Sequence, residues 1–110
     1  MVKPEISVIM SVHTETANGI KTAVDSILNQ SFTNFEFLIV NDNPTNSETQ
    51  KILSEISEQD NRILIITNDR NRGLGHSLNS AIRQSKADLV ARMDTEDTSH
   101  THRFSKQRKH

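Results

Sequence analysis

The sequence has no cysteine, no long hydrophobic run and no large excess of charge of either sign. The absence of cysteine excludes disulfide bonds and thiolate metal sites, and it is compatible with a reducing compartment. No segment approaches the roughly 20 apolar residues that a membrane-spanning helix needs, and residues 1–5 lack the apolar stretch of a signal peptide. We therefore expect a cytoplasmic protein, with peripheral attachment at the inner face of a membrane as the alternative.

The net charge of −1 gives no overall signal for nucleic acid or for an anionic membrane surface, and we expect no nucleic-acid partner. Apolar residues make up only 33% of the 110 residues. They are concentrated in short blocks, however, which indicates a folded chain. A chain of this length suffices for one small domain over residues 1–110 and not for two.

Short apolar runs alternate with helical stripes along the chain. Strand-like runs occupy residues 6–12, 35–40, 63–67 and 89–93. Apolar residues at helical spacing lie between them, at Ile20, Ala23, Val24, Ile27, Leu28, Ile52, Leu53, Ile56, Leu74, Leu78, Ala81 and Ile82. The order βαβαβαβ predicts an α/β fold that has a mostly parallel sheet with helices on both faces.

Two local patterns complete this prediction. Ser47 with Gln50 is typical of a capping box, so the second helix is expected to begin there. Residues 99–110 are rich in histidine, lysine and arginine and contain one large apolar residue, Phe104. They would supply little core, and we expect a mobile basic tail.

Four polar clusters follow the four predicted strands, at residues 11–15, 41–46, 68–75 and 94–97. The carboxyl ends of parallel strands share one edge of the sheet, where open α/β sheets bind ligands. The three acids of the last cluster repel one another unless a cation lies between them. Oxygen ligands favour a hard divalent ion such as Mg²⁺ or Mn²⁺. A solvated acidic turn is the alternative.

Three other features of these clusters have two interpretations each. Asp42 could accept hydrogen bonds from a nucleobase or a ribose, or it could bond to its own turn. Asn71, Arg72 and Gly73 could offer a cation and N–H groups to a diphosphate, or they could cap a helix. His13 could stack on a base, or it could be a partly buried structural histidine. Neither a Walker loop nor a Gly-x-Gly-x-x-Gly turn is present, which disfavours both of those nucleotide sites.

Together these segments resemble the family 2 glycosyltransferases, which have the GT-A fold. Residues 6–15 are similar to that family's first strand and nucleotide loop, usually S-V-I-M-P-V-Y-N-E, and residues 23–32 to its helix ending in S-I-L-N-Q-T-Y. Residues 35–43 resemble the strand that leads to V-D-D-G. Residues 71–82 match N-x-G-L…L-N-x-A-I, and residues 91–97 stand where A-R-M-D-A-D-D is usual. The likeness covers nearly the whole chain.

The resemblance implies a donor site for a nucleotide-sugar, with a UDP-sugar expected. Asp42 would bind the base, and Asp94 and Glu96 would hold a Mn²⁺ or Mg²⁺ ion that bridges the diphosphate. The residues implied in nucleotide binding are Val12, His13, Thr14, Glu15, Asp42, Asn71, Arg72 and Gly73. The implied reaction is inverting transfer to an acceptor glycan or lipid-linked sugar in polysaccharide or glycan synthesis, with a carboxylate as base.

The chain departs from the family pattern in residues and in length. His13 replaces tyrosine, Asn41 replaces the first acid after the second strand, and Glu96 replaces the second aspartate of the metal motif. Family catalytic domains continue well past this length. The chain therefore resembles the donor- and metal-binding half, truncated before the acceptor half, and the catalytic base is expected beyond His110. Exposed apolar surface, with self-association or modest stability, is expected.

Two other functions fit parts of the pattern. A non-catalytic interaction or regulatory module on the same scaffold is the alternative, because the substitutions at His13, Asn41 and Glu96 are what loss of donor selection could leave. A receiver-like signalling domain also has acids at its strand ends. It would need a lysine after a later strand, and the sequence offers no suitable one.

Overall fold

The computed structural model describes residues 4–13, 16–29 and 34–93. Strands and helices alternate in the order β1 (Ile6–Val12), α1 (Ala17–Leu28), β2 (Phe35–Asn41), α2 (Ser47–Gln59), β3 (Ile63–Thr67), α3 (Leu74–Gln84) and β4 (Leu89–Arg92). All four predicted strands are confirmed to within one residue at each end. None of the helices in the described ranges is long and apolar enough to cross a membrane.

The four strands form one parallel sheet in the order β3-β2-β1-β4. The central strands β1 and β2 are buried along nearly their whole length, whereas the edge strands β3 and β4 are only partly buried. Continuous apolar runs suit this position, because both faces of a parallel sheet are covered. Val12 lies opposite Asn41, and Asn41 lies opposite Thr67, so the carboxyl ends of three strands share one edge.

Helices cover both faces of the sheet, as predicted. Side chains alternate across a strand, and the alternate residues of β1 and β2 enter two separate apolar clusters. The larger cluster lies under α1 and α2, and the smaller one lies under α3. The buried members of the smaller cluster are Ile9, Leu38, Val40 and Ala81.

The start of α2 differs from the predicted capping box. Asn46, not Ser47, is the N-cap, and its side-chain oxygen accepts a hydrogen bond from the N–H of Thr49 at 3.0 Å. Gln50 donates from its side chain to the carbonyl of Pro44 instead of reaching back to the cap. The sequence places two capping residues side by side, and the first of them takes the extended conformation that a cap requires.

The apolar stripe predicted for α3 is only partly correct. Ser77 and Ala81 are the fully buried residues of this helix, whereas Leu74 and Ile82 are 49% and 47% exposed. Small side chains let a helix backbone approach a sheet closely, so α3 docks through Ser77 and Ala81. The larger residues at its two ends are left beside the contact.

A buried polar cluster lies on the α3 face of the sheet, at the amino end of the strands. Ser7 is completely buried, and its hydroxyl donates to the Glu36 carboxylate at 2.6 Å. The same carboxylate oxygen accepts the N–H of Lys86 at 2.5 Å, and the Ser7 oxygen accepts the N–H of Ala87 at 3.1 Å. These bonds fasten the loop between α3 and β4 to the two central strands.

Candidate functional site at the carboxyl edge of the sheet

Asp42 is the centre of the polar edge. It follows β2 directly, its own N–H donates to the carbonyl of Val12 at 2.8 Å, and it is only 2% exposed. Oδ1 accepts the side-chain amide of Asn68 at 2.8 Å and the N–H of Arg72 at 2.7 Å. Oδ2 accepts the N–H of Gly73 at 2.9 Å. The carboxylate therefore fixes the loop before α3, in addition to any part it has in ligand binding.

This environment keeps Asp42 ionised although it is buried. Burial alone would raise the pKa of its carboxyl group. The N–H of Arg72, the amide of Asn68 and the N–H of Gly73 lower it, as does the nearby ring of His13. The lowering effects are larger in sum, so the pKa of Asp42 lies below its ordinary value.

The loop of residues 71–73 lies beside Asp42, and its groups are engaged within the protein. The N–H groups of Arg72 and Gly73 point at Asp42. The Arg72 guanidinium forms an ion pair with Asp69 through two hydrogen bonds, each 2.9 Å long. Both side chains are exposed, so this ion pair is accessible to solvent. Gly73 is the N-cap of α3, and its φ of 89° lies in the region that favours glycine.

His13 lies at the end of β1 and joins the three neighbouring loops. Its side chain is exposed and contacts the amide of Asn71, and its carbonyl accepts the side-chain amide of Asn43 at 2.9 Å. The interpretation of His13 as a partly buried structural residue is therefore wrong for its ring. The stacking of this ring on a base stays a prediction.

Two residues of this site were not singled out from the sequence. Asn68 is 8% exposed and directly follows β3, and Ser77 is completely buried in the first turns of α3. The amide of Asn68 donates both to Asp42 and to the Ser77 hydroxyl, the latter at 3.0 Å. The rule that polar residues after parallel strands converge could have identified Asn68, whereas a lone serine in a helix gives no such signal.

Four predicted site residues fall outside the described residues, namely Thr14, Glu15, Asp94 and Glu96. Strand β4 ends at Arg92, and the N–H of Met93 donates to the carbonyl of Ile9 at 2.9 Å. The described chain thus ends one residue before Asp94. Within the described ranges, no three histidine or acidic side chains converge as a metal site would require. The predicted metal ligands are therefore not tested by this geometry.

Two cavities lie on the face covered by α1 and α2. One, of about 240 Å³, opens between the starts of the two helices, and its lining includes Thr16, Asn46 and Glu48. The other, of about 390 Å³, lies between α2 and β3. Neither is lined by Asp42 or by residues 71–73.

Comparison with known proteins assigns this architecture to a family. The model of the family described as Glycosyl transferase family 2 matches residues 7–110. The chain belongs to this family. A similar curated protein is an uncharacterized glycosyltransferase of Methanocaldococcus jannaschii, which is 37% identical over 110 residues. The match covers 100% of this chain and 38% of that relative, so the family 2 chain spans well under half of the relative's length.

Solved structures show the same fold. A mannosyltransferase from Pyrobaculum calidifontis, PcManGT, in complex with GDP-Man and Mn²⁺, superposes with a TM-score of 0.82 at 20% identity. The match covers 94% of the family 2 chain and 31% of that protein. S. aureus TarS, residues 1–349, in complex with UDP-GlcNAc, gives a TM-score of 0.78 at 22% identity, covering 93% and 29%. The GT-A fold of the family 2 chain is thereby confirmed.

Proposed function

We propose that this chain is the donor-binding part of an inverting family 2 glycosyltransferase that transfers a sugar from a nucleoside diphosphate to an acceptor glycan or lipid-linked sugar. The observation that carries the proposal is the convergence of Asp42, His13 and the loop of residues 71–73 at one strand edge. Family membership over residues 7–110 supports it.

The base subsite is the side of Asp42 that its own loop leaves unused. A carboxylate has about four acceptor positions, and three donors of the protein occupy positions on Asp42. Among the described residues, Oδ2 accepts only the N–H of Gly73, which leaves one acceptor position on this oxygen for the proposed base N–H. Uracil presents a single ring N–H, whereas guanine presents a ring N–H and an amino group together. A UDP-sugar is therefore the proposed donor, with the exposed ring of His13 stacking on the base.

Asp94 and Glu96 are the proposed holders of Mn²⁺ or Mg²⁺, since both offer the oxygen ligands that these ions prefer. The ion would supply charge stabilisation for the departing nucleoside diphosphate. The protein's own groups at this edge bind and orient the nucleoside, through Asp42 and His13. We assign to residues 1–110 no catalytic base that would deprotonate the acceptor hydroxyl.

Isothermal titration calorimetry with UDP and with GDP, each with and without Mn²⁺, tests the proposal. We expect weak UDP binding that requires Mn²⁺, is lost with a chelator, and exceeds GDP binding by about ten-fold, as one unmatched hydrogen bond would give. Asp94→Asn should abolish the metal-dependent heat. Asp25→Asn, which removes an exposed carboxylate on α1, is the matched control and should not. Heat unchanged by chelator or by Asp94→Asn in a folded protein contradicts the metal site.

A further inference from the structure

We propose that Asn68 and Ser77 are positioning residues, which orient the Asp42 carboxylate and, through it, hold the Arg72–Gly73 backbone at the ligand-binding edge. This inference rests on the proposed function for its ligand. Its structural part, the orientation of the carboxylate and the loop, can be measured without any ligand.

The first step is that the Asn68 side chain can adopt only one orientation. Its backbone N–H donates to the carbonyl of Asn41 at 3.0 Å, which fixes the residue beside the end of β2. Its side-chain nitrogen then supplies one hydrogen to Asp42 and the other to Ser77, at 2.8 and 3.0 Å. Rotating the amide by 180° would place its oxygen against the carboxylate, two acceptors facing each other in a buried site. The amide nitrogen must therefore face Asp42.

The second step is that Ser77 anchors this amide to α3. Ser77 is completely buried, and its N–H donates to the carbonyl of Gly73 at 3.1 Å. Its hydroxyl oxygen thus has a fixed place in the first turns of the helix. The chain of contacts from Ser77 through Asn68 to Asp42 joins α3, the end of β3 and the end of β2.

The third step concerns what the carboxylate does once it is oriented. Oδ1 receives Asn68 and the N–H of Arg72, which directs Oδ2 toward the N–H of Gly73. Without the Asn68 donor, only the two loop amides orient the carboxylate about its bond to the β-carbon, and they lose an acceptor that is fixed from outside the loop. Nucleotide affinity should then fall although neither Asn68 nor Ser77 touches the nucleotide.

The test uses the 110-residue chain and the ¹H–¹⁵N resonances of Arg72 and Gly73. Asn68→Asp keeps the shape but replaces the donor with a second carboxylate. At neutral pH, we expect both amide resonances to move upfield. They should recover as the pH is lowered and the two carboxyl groups share one proton, because a shared proton restores the lost donor. A purely structural defect would not recover in this way. Asn79→Asp, exposed on α3, is the matched control and should leave both resonances unchanged.

A second variant tests whether another group near the site causes the pH-dependent recovery. Among the residues that the structure describes, the charged groups around Asp42 are His13 and the Asp69–Arg72 ion pair. Repeating the titration in His13→Gln removes the imidazole contribution, and the recovery should persist. Ser77→Ala should shift the same two amides in the same direction, and Ser80→Ala, also on α3, should not.

Affinity for UDP with Mn²⁺ provides the functional measurement. Asn68→Asp should weaken it about ten-fold, the loss expected for one hydrogen bond to a charged group, and Ser77→Ala should weaken it less, because the bond it removes joins two neutral groups. Both control variants should bind normally. If the wild-type chain binds no nucleotide but the amides shift as expected, the positioning role stands and the proposed function fails. If the amides of Arg72 and Gly73 stay unmoved in folded Asn68→Asp and Ser77→Ala, the inference is overturned. If Asn68→Asp does not fold, the Arg72 and Gly73 amide resonances of Ser77→Ala decide whether the inference holds.

Discussion

Replacing Ser7 with alanine should destabilise the protein strongly, although a single oxygen atom is removed. Ser7 is completely buried beside Glu36, to which it is paired in the β1–β2 register. The substitution deletes a 2.6 Å hydrogen bond to a carboxylate and leaves the N–H of Ala87 without its acceptor. A bond to a charged group contributes about 1.5–3 kcal/mol, and the half-buried N–H of Ala87 adds up to about 1 kcal/mol when it loses its acceptor.

The two contributions do not add in full, because the Glu36 carboxylate still accepts the N–H of Lys86 after Ser7 is replaced. The expected loss is therefore about 2–4 kcal/mol of the free energy of unfolding. Domains of this size have about 5–15 kcal/mol in total, so the loss is a large fraction of the whole. It corresponds to a fall in Tm of roughly 8–16 °C, at about 4 °C per kcal/mol.

Urea unfolding followed by far-UV circular dichroism measures the effect. Ser11→Ala is the matched control, since Ser11 lies on the same strand and the same face and its hydroxyl has no hydrogen bond to any described residue. Glu36→Gln keeps the acceptor but removes its charge, and it should cost about 1 kcal/mol. In a double-mutant cycle the two changes should be non-additive, because they share one bond.

A loss below about 0.5 kcal/mol for Ser7→Ala, within the ordinary range for surface changes, would refute this reasoning. So would a loss equal to that of Ser11→Ala. Either result would mean that the loop between α3 and β4 is held by its apolar contacts alone, and that the polar cluster contributes nothing measurable.

Three further predictions concern the other end of α3. The pKa of Asp42 is lowered in the folded protein, so its ionisation stabilises the fold above about pH 4 and this contribution disappears as the pH falls through the lowered pKa. Asp42→Asn should thus be less stable than wild type at pH 7, and urea unfolding should show the difference shrinking below about pH 4. Gly73→Ala should lower the free energy of unfolding by about 1–3 kcal/mol, because φ is 89° and ψ is 164° at this residue. Gly75→Ala, in the helix, should raise it by about 0.5–1 kcal/mol. Thermal melts in which the two variants change Tm in the same direction would contradict this. Replacing the exposed Leu74 and Ile82 with glutamine should reduce self-association in sedimentation velocity without lowering Tm by more than a few degrees.

The arrangement of strands and helices follows from local features of the sequence. Continuous apolar runs separated by helical stripes leave a parallel sheet as the arrangement that covers both faces, and the structure confirms it. Helix α2 begins at Ser47 as predicted, but its N-cap was misassigned by one residue because Asn46 and Ser47 are both good caps, and only the backbone angles distinguish them. Local patterns are informative where one residue type satisfies the requirement, and ambiguous where two neighbours do.

The candidate site was predictable at the level of its edge but not at the level of its bonds. Asp42 and Gly73 were identified because they follow a strand and precede a helix. The hydrogen bond between them joins residues that are 31 apart in sequence, and no periodic pattern in the sequence predicts such a contact. Ser77 was missed because a serine in an amphipathic helix is normally interpreted as a surface residue. Its burial depends on how closely α3 approaches the sheet, which is a property of tertiary packing.

The two polar clusters share a single structural cause. Glu36 lies on β2 and Asp42 directly follows it, six residues further on, an even spacing that places both on the α3 face. At about 3.3 Å per residue they are roughly 20 Å apart, close to the length of an 11-residue helix with its two caps. Asp42 accepts N–H groups just before α3, and Glu36 accepts one just after it.

Helix α3 is therefore held at both ends by carboxylates from one strand, over an apolar cluster that contains only one of its own buried residues, Ala81. The partly buried Leu78 of α3 also packs against this cluster, so apolar burial and the two carboxylates both contribute to the orientation of α3. The loop that would meet a nucleotide is one of the two anchored ends. A ligand N–H bound by Asp42 would thus act on the same carboxylate that positions the helix, so ligand affinity and the stability of α3 should change together in Asp42 variants.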